Sequence, residues 1–276
     1  MEGEMLCRYC LIDKKMTKEH IIPAFIYEYL KSVPLPVYGW NERAEKILGA
    51  EATTADVCKE CNGGPLSSLD AYGKKFLEDN GFLTKIYLKE STLLKFDYHM
   101  LLRWLMKISY NSLAAAKDPN CSAYEDYREY ILTGKDVPTE NEIVLFVGLT
   151  SPAKVKEIPD NECKAIINED KLIAPFIFRI HEVNKVFVNV GVVMNGITAG
   201  SLFFHIALLK NAKISRSLFK RTGCDAASIK YLSPRSSEML VSSCGLTWYE
   251  SMSKQRMREH FSIDYEATLK RISKKR

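Results

Sequence analysis

Two cysteine pairs of the same spacing stand in the first quarter of the chain, Cys7-Arg-Tyr-Cys10 and Cys58-Lys-Glu-Cys61. Each C-x-x-C is a knuckle that aims two thiolates at one point. Four such thiolates make a closed tetrahedral zinc site, with no coordination position left for a substrate. Met1-Glu2-Gly3-Glu4 does not read as a secretory start, so metal is expected here rather than a disulfide framework. Zinc would clamp residues 7–10 against residues 58–61. It would thereby bring Glu19-His20 close to Asn62, which directly follows the second pair. An acid, a histidine and an amide suit phosphodiester hydrolysis. A neutral imidazole, with an ordinary pKa of ~6.5, can take the proton of an attacking water. A hard cation such as Mg²⁺ or Mn²⁺ on the carboxylate and amide oxygens can stabilise the phosphate and the departing 3′ oxygen.

The order C-x-x-C, Glu19-His20-Ile21-Ile22-Pro23, C-x-x-C-Asn62 resembles the HNH endonucleases, a branch of the ββα-metal (His-Me finger) nucleases, over about residues 5–80. The resemblance implies a β-hairpin bearing the acid–histidine pair and a following helix bearing the terminal residue. It makes His20 the general base, and Glu19 and Asn62 the ligands of a catalytic Mg²⁺ or Mn²⁺. Cys7, Cys10, Cys58 and Cys61 become the holders of a structural zinc. It further implies DNA as substrate and a place among nucleases of phage defence, restriction or mobile elements. The chain departs from the family in several ways. Thr53 stands where the family's middle asparagine orients the histidine, Glu19 replaces the commoner aspartate, and the lysine after C-x-x-C-Asn gives way to Gly63-Gly64. Asp70 is a candidate additional ligand, and Tyr27–Gly49 a candidate substrate loop inserted between the knuckles. Two further readings stay open. One is a zinc-stabilised module that binds nucleic acid without cutting it. The other is a nuclease restrained by a C-terminal sensor until an activating ligand or partner protein arrives.

The elements that must position these groups are legible in outline. Ala24–Lys31 is expected to be a helix, and Gly63-Gly64-Pro65 opens a second one that Asp79-Asn80-Gly81 stops. Asp97 caps a long helix whose Met100, Leu101, Trp104, Leu105 and Ile108 form an apolar stripe. Ser122 and Glu125 fit a capping box, and Gly134 a terminator. From Glu142 the pattern turns to strands, at Glu142–Leu149, Leu172–Ile180 and Lys185–Met194. Ser201–Leu209 is apolar throughout and reads equally as strand or buried helix. Leu246–Phe261 and Tyr265–Ser273 read as helices. The expected class is α+β, with a small zinc-stapled module at 1–85 and an α+β region at 86–276. The boundary falls near 85–96 or 135–141.

Composition sets the outer limits. The chain has 276 residues, 46% hydrophobic and 26% charged, which excludes a wholly disordered or fibrous protein. No apolar run approaches the ~20 residues of a membrane helix, so a cytoplasmic protein without a membrane partner is expected. The net charge of +5 hides an asymmetry, because residues 201–276 hold 15 basic against 6 acidic side chains. Lys254, Arg256, Arg258, Lys270, Arg271, Lys274, Lys275 and Arg276 are therefore candidate contacts to nucleic-acid phosphates. Cutting both strands of a duplex would call for a homodimer. Cys121, Cys163, Cys224 and Cys244 are scattered and carry no assigned role.

Overall fold

The computed structural model describes residues 6–32, 39–41, 46–48, 51–154, 172–174, 176–182, 191–210, 213, 217, 220 and 229–251. Strand β1 (Met16–His20) pairs antiparallel with β4 (Thr53–Cys58), so that Met16 faces Cys58 and His20 faces Thr53, with a register shift between Thr17 and Glu19. Between them lie helix α1 (Ala24–Ser32) and a short pair, β2 (Gly39–Asn41) and β3 (Lys46–Leu48). β4 runs directly into a helical segment of three parts: α2 (Lys59–Cys61), a π-helical turn (Asn62–Leu66) and α3 (Ser67–Asp79). The helix thus starts before the glycines, not at them. Cys58 is its cap, with Sγ accepting from the Cys61 amide. Pro65 lies inside and has no N–H to give, so the ladder widens to a π turn around it.

After β5 (Ser91–Lys95), Asp97 caps α4 (Tyr98–Ala115), its side chain accepting from the Met100 amide at 3.0 Å. The Ser122–Glu125 capping box does not form. Pro119–Tyr127 is instead a run of 3₁₀ turns capped by Asp118, which pulls Asn120 N–H to its own carboxylate at 2.8 Å. Helix α5 (Arg128–Thr133) then ends at Gly134, whose φ of 78° is the left-handed terminator expected.

The remaining chain builds a mixed sheet from β6 (Ile143–Ser151), β9 (Phe178–Glu182), β10 (Val193–Ala199), β11 (Leu202–Leu208), β12 (Lys230–Leu232) and β13 (Glu238–Thr247). The order is β5-β13-β6-β11-β10-β9, with β12 also on β6 and only β13–β6 parallel. A small pair, β7 (Ala153–Lys154) with β8 (Leu172–Ile173), stands apart. The ambiguous Ser201–Leu209 is a strand. The expected strand 172–180 divides in two, and that at 185–194 is seen only from Val193, continuing to Ala199. The expected helix at Leu246 is corrected, because β13 runs through Thr247 and the helical turn α6 (Trp248–Ser251) begins only there. Pairing with β6 outweighs the local helical pattern. The rest of that helix, Tyr265–Ser273 and all eight basic candidates from Lys254 to Arg276 lie outside the described residues.

Leu145, Val147, Ile197, Phe204 and Ile206 alternate onto one sheet face and bury against Leu101, Trp104, Leu105 and Ile108 of α4. The same core continues without a seam into Leu69, Leu66, Val57 and Cys7. Gly73 permits that junction, since a Cβ there would stand 2.1 Å from the Trp104 ring. The segments 1–85 and 86–276 therefore share one core. On the opposite sheet face Val144, Phe146, Met194 and Ala207 form a second cluster, and His181 and His205 meet edge to face. No described helix is long and apolar enough to cross a membrane.

Candidate functional site

The four cysteines of the two knuckles converge. Their Sγ atoms all lie within 4.8 Å of one another, with Cys10 and Cys58 at 3.8 Å. Four thiolates at the ~2.3 Å Zn–S distance of a tetrahedron stand ~3.8 Å apart, so the quartet could hold a metal such as zinc. Backbone amides prepare it, with Cys58 N–H on Cys7 Sγ at 3.3 Å and Cys61 N–H on Cys58 Sγ at 3.5 Å. Burial works against the Cys7 thiolate, but hydrogen bonds from the backbone of Cys58, Cys10 and Tyr9 outweigh it and hold the thiol at about 7. Burial pushes the Cys58 and Cys61 thiols up. A bound divalent cation reverses that and deprotonates coordinating thiols outright. Among the described residues no other group of three or more His, Cys, Asp or Glu side chains gathers in this way.

Adjacent residues of a strand point to opposite faces, and the two halves of Glu19-His20 part accordingly. Glu19 turns inward. Its side chain is 4% exposed, its Oε1 lies 2.7 Å from Lys107 Nζ, and it accepts from Asn111 Nδ2 at 3.2 Å. Both partners belong to α4. His20 stays partly exposed, its Nε2 3.0 Å from Glu51 Oε2. Helix α1 supplies Glu51's support: Lys31 Nζ donates to Glu51 Oε1 at 2.7 Å, and the Ala52 amide donates to the Tyr27 hydroxyl at 3.0 Å. The hydrogen bond from Lys31, then that from His20, keeps the Glu51 carboxyl below its ordinary range. Thr53 is opposite His20 in register, but the side chain that meets the ring is Glu51, two residues before β4 begins. Glu51 is the site residue that sequence reasoning missed. The signal available was its place two residues before Thr53, once the β1–β4 register is known.

Asn62 closes the arrangement from the helix side. Its Nδ2 donates to Thr17 Oγ1 at 3.0 Å and to the Lys18 carbonyl at 2.9 Å. A carbonyl only accepts, which fixes the amide's orientation and turns its oxygen away from those two bonds. Asp70 does not join Asn62. It reaches Lys107, Oδ2 to Nζ 2.6 Å, leaving Oδ1 buried with no hydrogen-bond partner. Asn62 is thus tied to β1 at Lys18, two residues before His20, whereas Glu19 and Asp70 are bridged by Lys107 of α4. The first knuckle is tied to α4 as well: Tyr9 donates its hydroxyl to Asn111 Oδ1 at 2.7 Å, and Arg8 bridges Asp56 at 2.9 Å and the Tyr110 carbonyl at 3.4 Å. His99 is structural, its Nδ1 2.9 Å from the Tyr130 hydroxyl.

Fold and site together define an α+β protein with a cysteine-stapled strand–strand–helix corner built onto a larger sheet. Comparison with protein-family models, with curated proteins and with solved structures gives no match.

Proposed function

We propose that this protein is a nuclease of the HNH type that hydrolyses phosphodiester bonds, with DNA as the expected substrate. One observation carries the reading. The antiparallel β1–β4 pair holds His20 at its end and runs into a helix whose Asn62 returns to the Lys18 carbonyl, two residues from that histidine. Strand, strand and helix in this order, stapled by a zinc on Cys7, Cys10, Cys58 and Cys61, are what the sequence resemblance calls for. His20 takes the proton of the attacking water. Glu51 steadies the imidazole through its Oε2, 3.0 Å from His20 Nε2, and so orients the ring. The exposed lysines Lys15 and Lys18, before and on β1, and Lys59, at the start of α2, would meet the phosphates.

The family's Mg²⁺ or Mn²⁺ would supply charge stabilisation at the scissile phosphate. Of its two expected ligands, Asn62 keeps an amide oxygen available, but the Glu19 carboxylate does not fit, because it is already balanced by Lys107. No step is therefore routed through Glu19. The same ion pair favours a second reading, a module that holds nucleic acid without cutting it.

Purified protein with Mg²⁺, Mn²⁺ or EDTA, beside His20→Ala, tests the proposal on supercoiled plasmid. Nicking by the wild type that the variant loses is the expected result. A folded, zinc-loaded wild type that binds the plasmid and leaves it closed under all three conditions would establish the second reading instead.

A further inference from the structure

Lys107 stands on the apolar face of α4, one turn from Trp104, where a charged side chain has no place unless it is paired. Its side chain is 1% exposed, and its Nζ lies 2.7 Å from Glu19 Oε1 and 2.6 Å from Asp70 Oδ2. Those two carboxylates come from β1 and α3, elements that the knuckles bring together. One cation between two acid oxygens, that of Glu19 buried and that of Asp70 partly so, is the arrangement that a divalent ion would otherwise make. Asn111, one turn further along the same helix face, completes it: its Nδ2 donates to Glu19 Oε1 at 3.2 Å and to the His20 carbonyl at 3.3 Å.

We infer that Lys107 is the resident cation of the Glu19–Asp70 pair, its tethered ammonium filling the place that the sequence resemblance gives to a divalent metal. The inference uses the nuclease reading only to name the ion displaced. Three features support it. The Lys107–carboxylate distances are those of charge-assisted hydrogen bonds. The ammonium and the Glu19 carboxylate are both out of water, so a metal arriving at Glu19 would have to leave a buried lysine without its partner, a costly exchange. The other expected ligand, Asn62, is held on β1 by bonds from its Nδ2 to the Thr17 hydroxyl and the Lys18 carbonyl, not on the Lys107 cluster. Helix α4 is then a built part of the site, gripping Glu19 through Lys107 and the Glu19–His20 dipeptide through Asn111.

The test is Mn²⁺ binding, followed by electron paramagnetic resonance of the free ion, to the full chain with zinc on its cysteines and without substrate. Glu19→Gln, which is isosteric, should bind Mn²⁺ within twofold of the wild type. Lys107→Met leaves two carboxylates and the unpartnered Asp70 Oδ1 without their cation. It should bind Mn²⁺ at least tenfold more tightly, and Glu19→Gln in that background should remove the gain. Lys107→Arg, which keeps the charge, should behave as the wild type. A tenfold or greater loss of Mn²⁺ affinity in the Glu19→Gln single variant would overturn the inference, as would a folded Lys107→Met with no gain. Should Lys107→Met fail to fold, the Glu19→Gln comparison decides alone. Because binding is read without cleavage, this result and the His20→Ala nicking result can fail separately.

Discussion

Replacing one cysteine of the quartet gives the most direct measure of what the knuckles contribute. Cys58 is the best choice, since its side chain is fully buried, its Sγ caps the helix that follows, and it lies 3.8 Å from Cys10. A structural zinc contributes roughly 10–16 kcal/mol of apparent binding free energy in small zinc modules. Divided among four thiolates, Cys58→Ser should then cost about 2.5–4 kcal/mol. The loss cannot stay local, because Cys7, Tyr9, Val57, Leu66 and Leu69 belong to the core that continues into Leu101 and Trp104. At about 2–4 °C per kcal/mol for a chain of this size, Tm should fall by about 10 °C. Far-UV circular dichroism reads the melt, and plasma mass spectrometry should give one zinc per wild-type chain and much less in the variant. Cys244→Ser, away from the quartet, serves as the control and should melt within about 1–2 °C of the wild type. Zinc-free wild-type protein whose melt is unchanged by Cys58→Ser would refute the reasoning. A Tm that responds to dithiothreitol instead of a chelator would make the quartet a disulfide pair.

Two further predictions concern single side chains. Glu51→Gln removes the carboxylate behind His20 and should lower kcat for nicking by about 10–100-fold with little change in KM, while Glu51→Asp recovers part of it; equal rates for all three proteins would show that Glu51 only decorates the surface. On the outer sheet face, burial holds the His205 imidazole down at about 4, and its Nδ1 has no hydrogen-bond partner among the described residues. The unfolded chain takes up that proton near pH ~6.5, the folded chain only near 4, so this contribution is complete above pH ~6.5 and is lost as the pH falls toward 4. Urea unfolding at pH 7 and pH 5 should therefore show a loss of up to about 2 kcal/mol that His205→Phe abolishes, and a variant as acid-sensitive as the wild type would place the loss elsewhere.

How much of this was legible beforehand follows from how local each signal is. The knuckles, the Asp97 cap and the Gly134 terminator are written in a few neighbouring residues, and all three take their expected form. The start of the helix after the second knuckle is not legible because Gly63-Gly64-Pro65 looks like a boundary, whereas Cys58 caps it five residues before Gly63 and the π turn absorbs the proline. β13 was hidden by a sequence with helical spacing at Leu246 that only pairing to β5 and β6 overrides. Of the proposed site, His20 and Asn62 are the residues that motif spacing singles out. Glu51 and Lys107 could not be read, because each meets its partner across tertiary space, at sequence separations of 31 and, for the Asn111–Glu19 bond beside Lys107, 92 residues. A lysine within the stripe of Trp104, Leu105 and Ile108 was nevertheless a visible anomaly, and such a residue asks for a buried partner.

The shared helix also bears on regulation. A C-terminal region that merely restrained a self-sufficient nuclease would touch it at a separable surface. Here α4 lies with one face on Gly73 of α3 and another on the sheet, and it holds Glu19 and the His20 carbonyl through Lys107 and Asn111. Cutting the chain after residue 85 would strip those bonds, leave the Glu19 carboxylate without its cation and bare Leu66, Leu69 and Phe76 to water. The helix that holds the His20 carbonyl rests on the sheet, and Asn195 of β10, donating to the Tyr124 hydroxyl at 2.7 Å, ties the 3₁₀ turns after that helix to the same sheet.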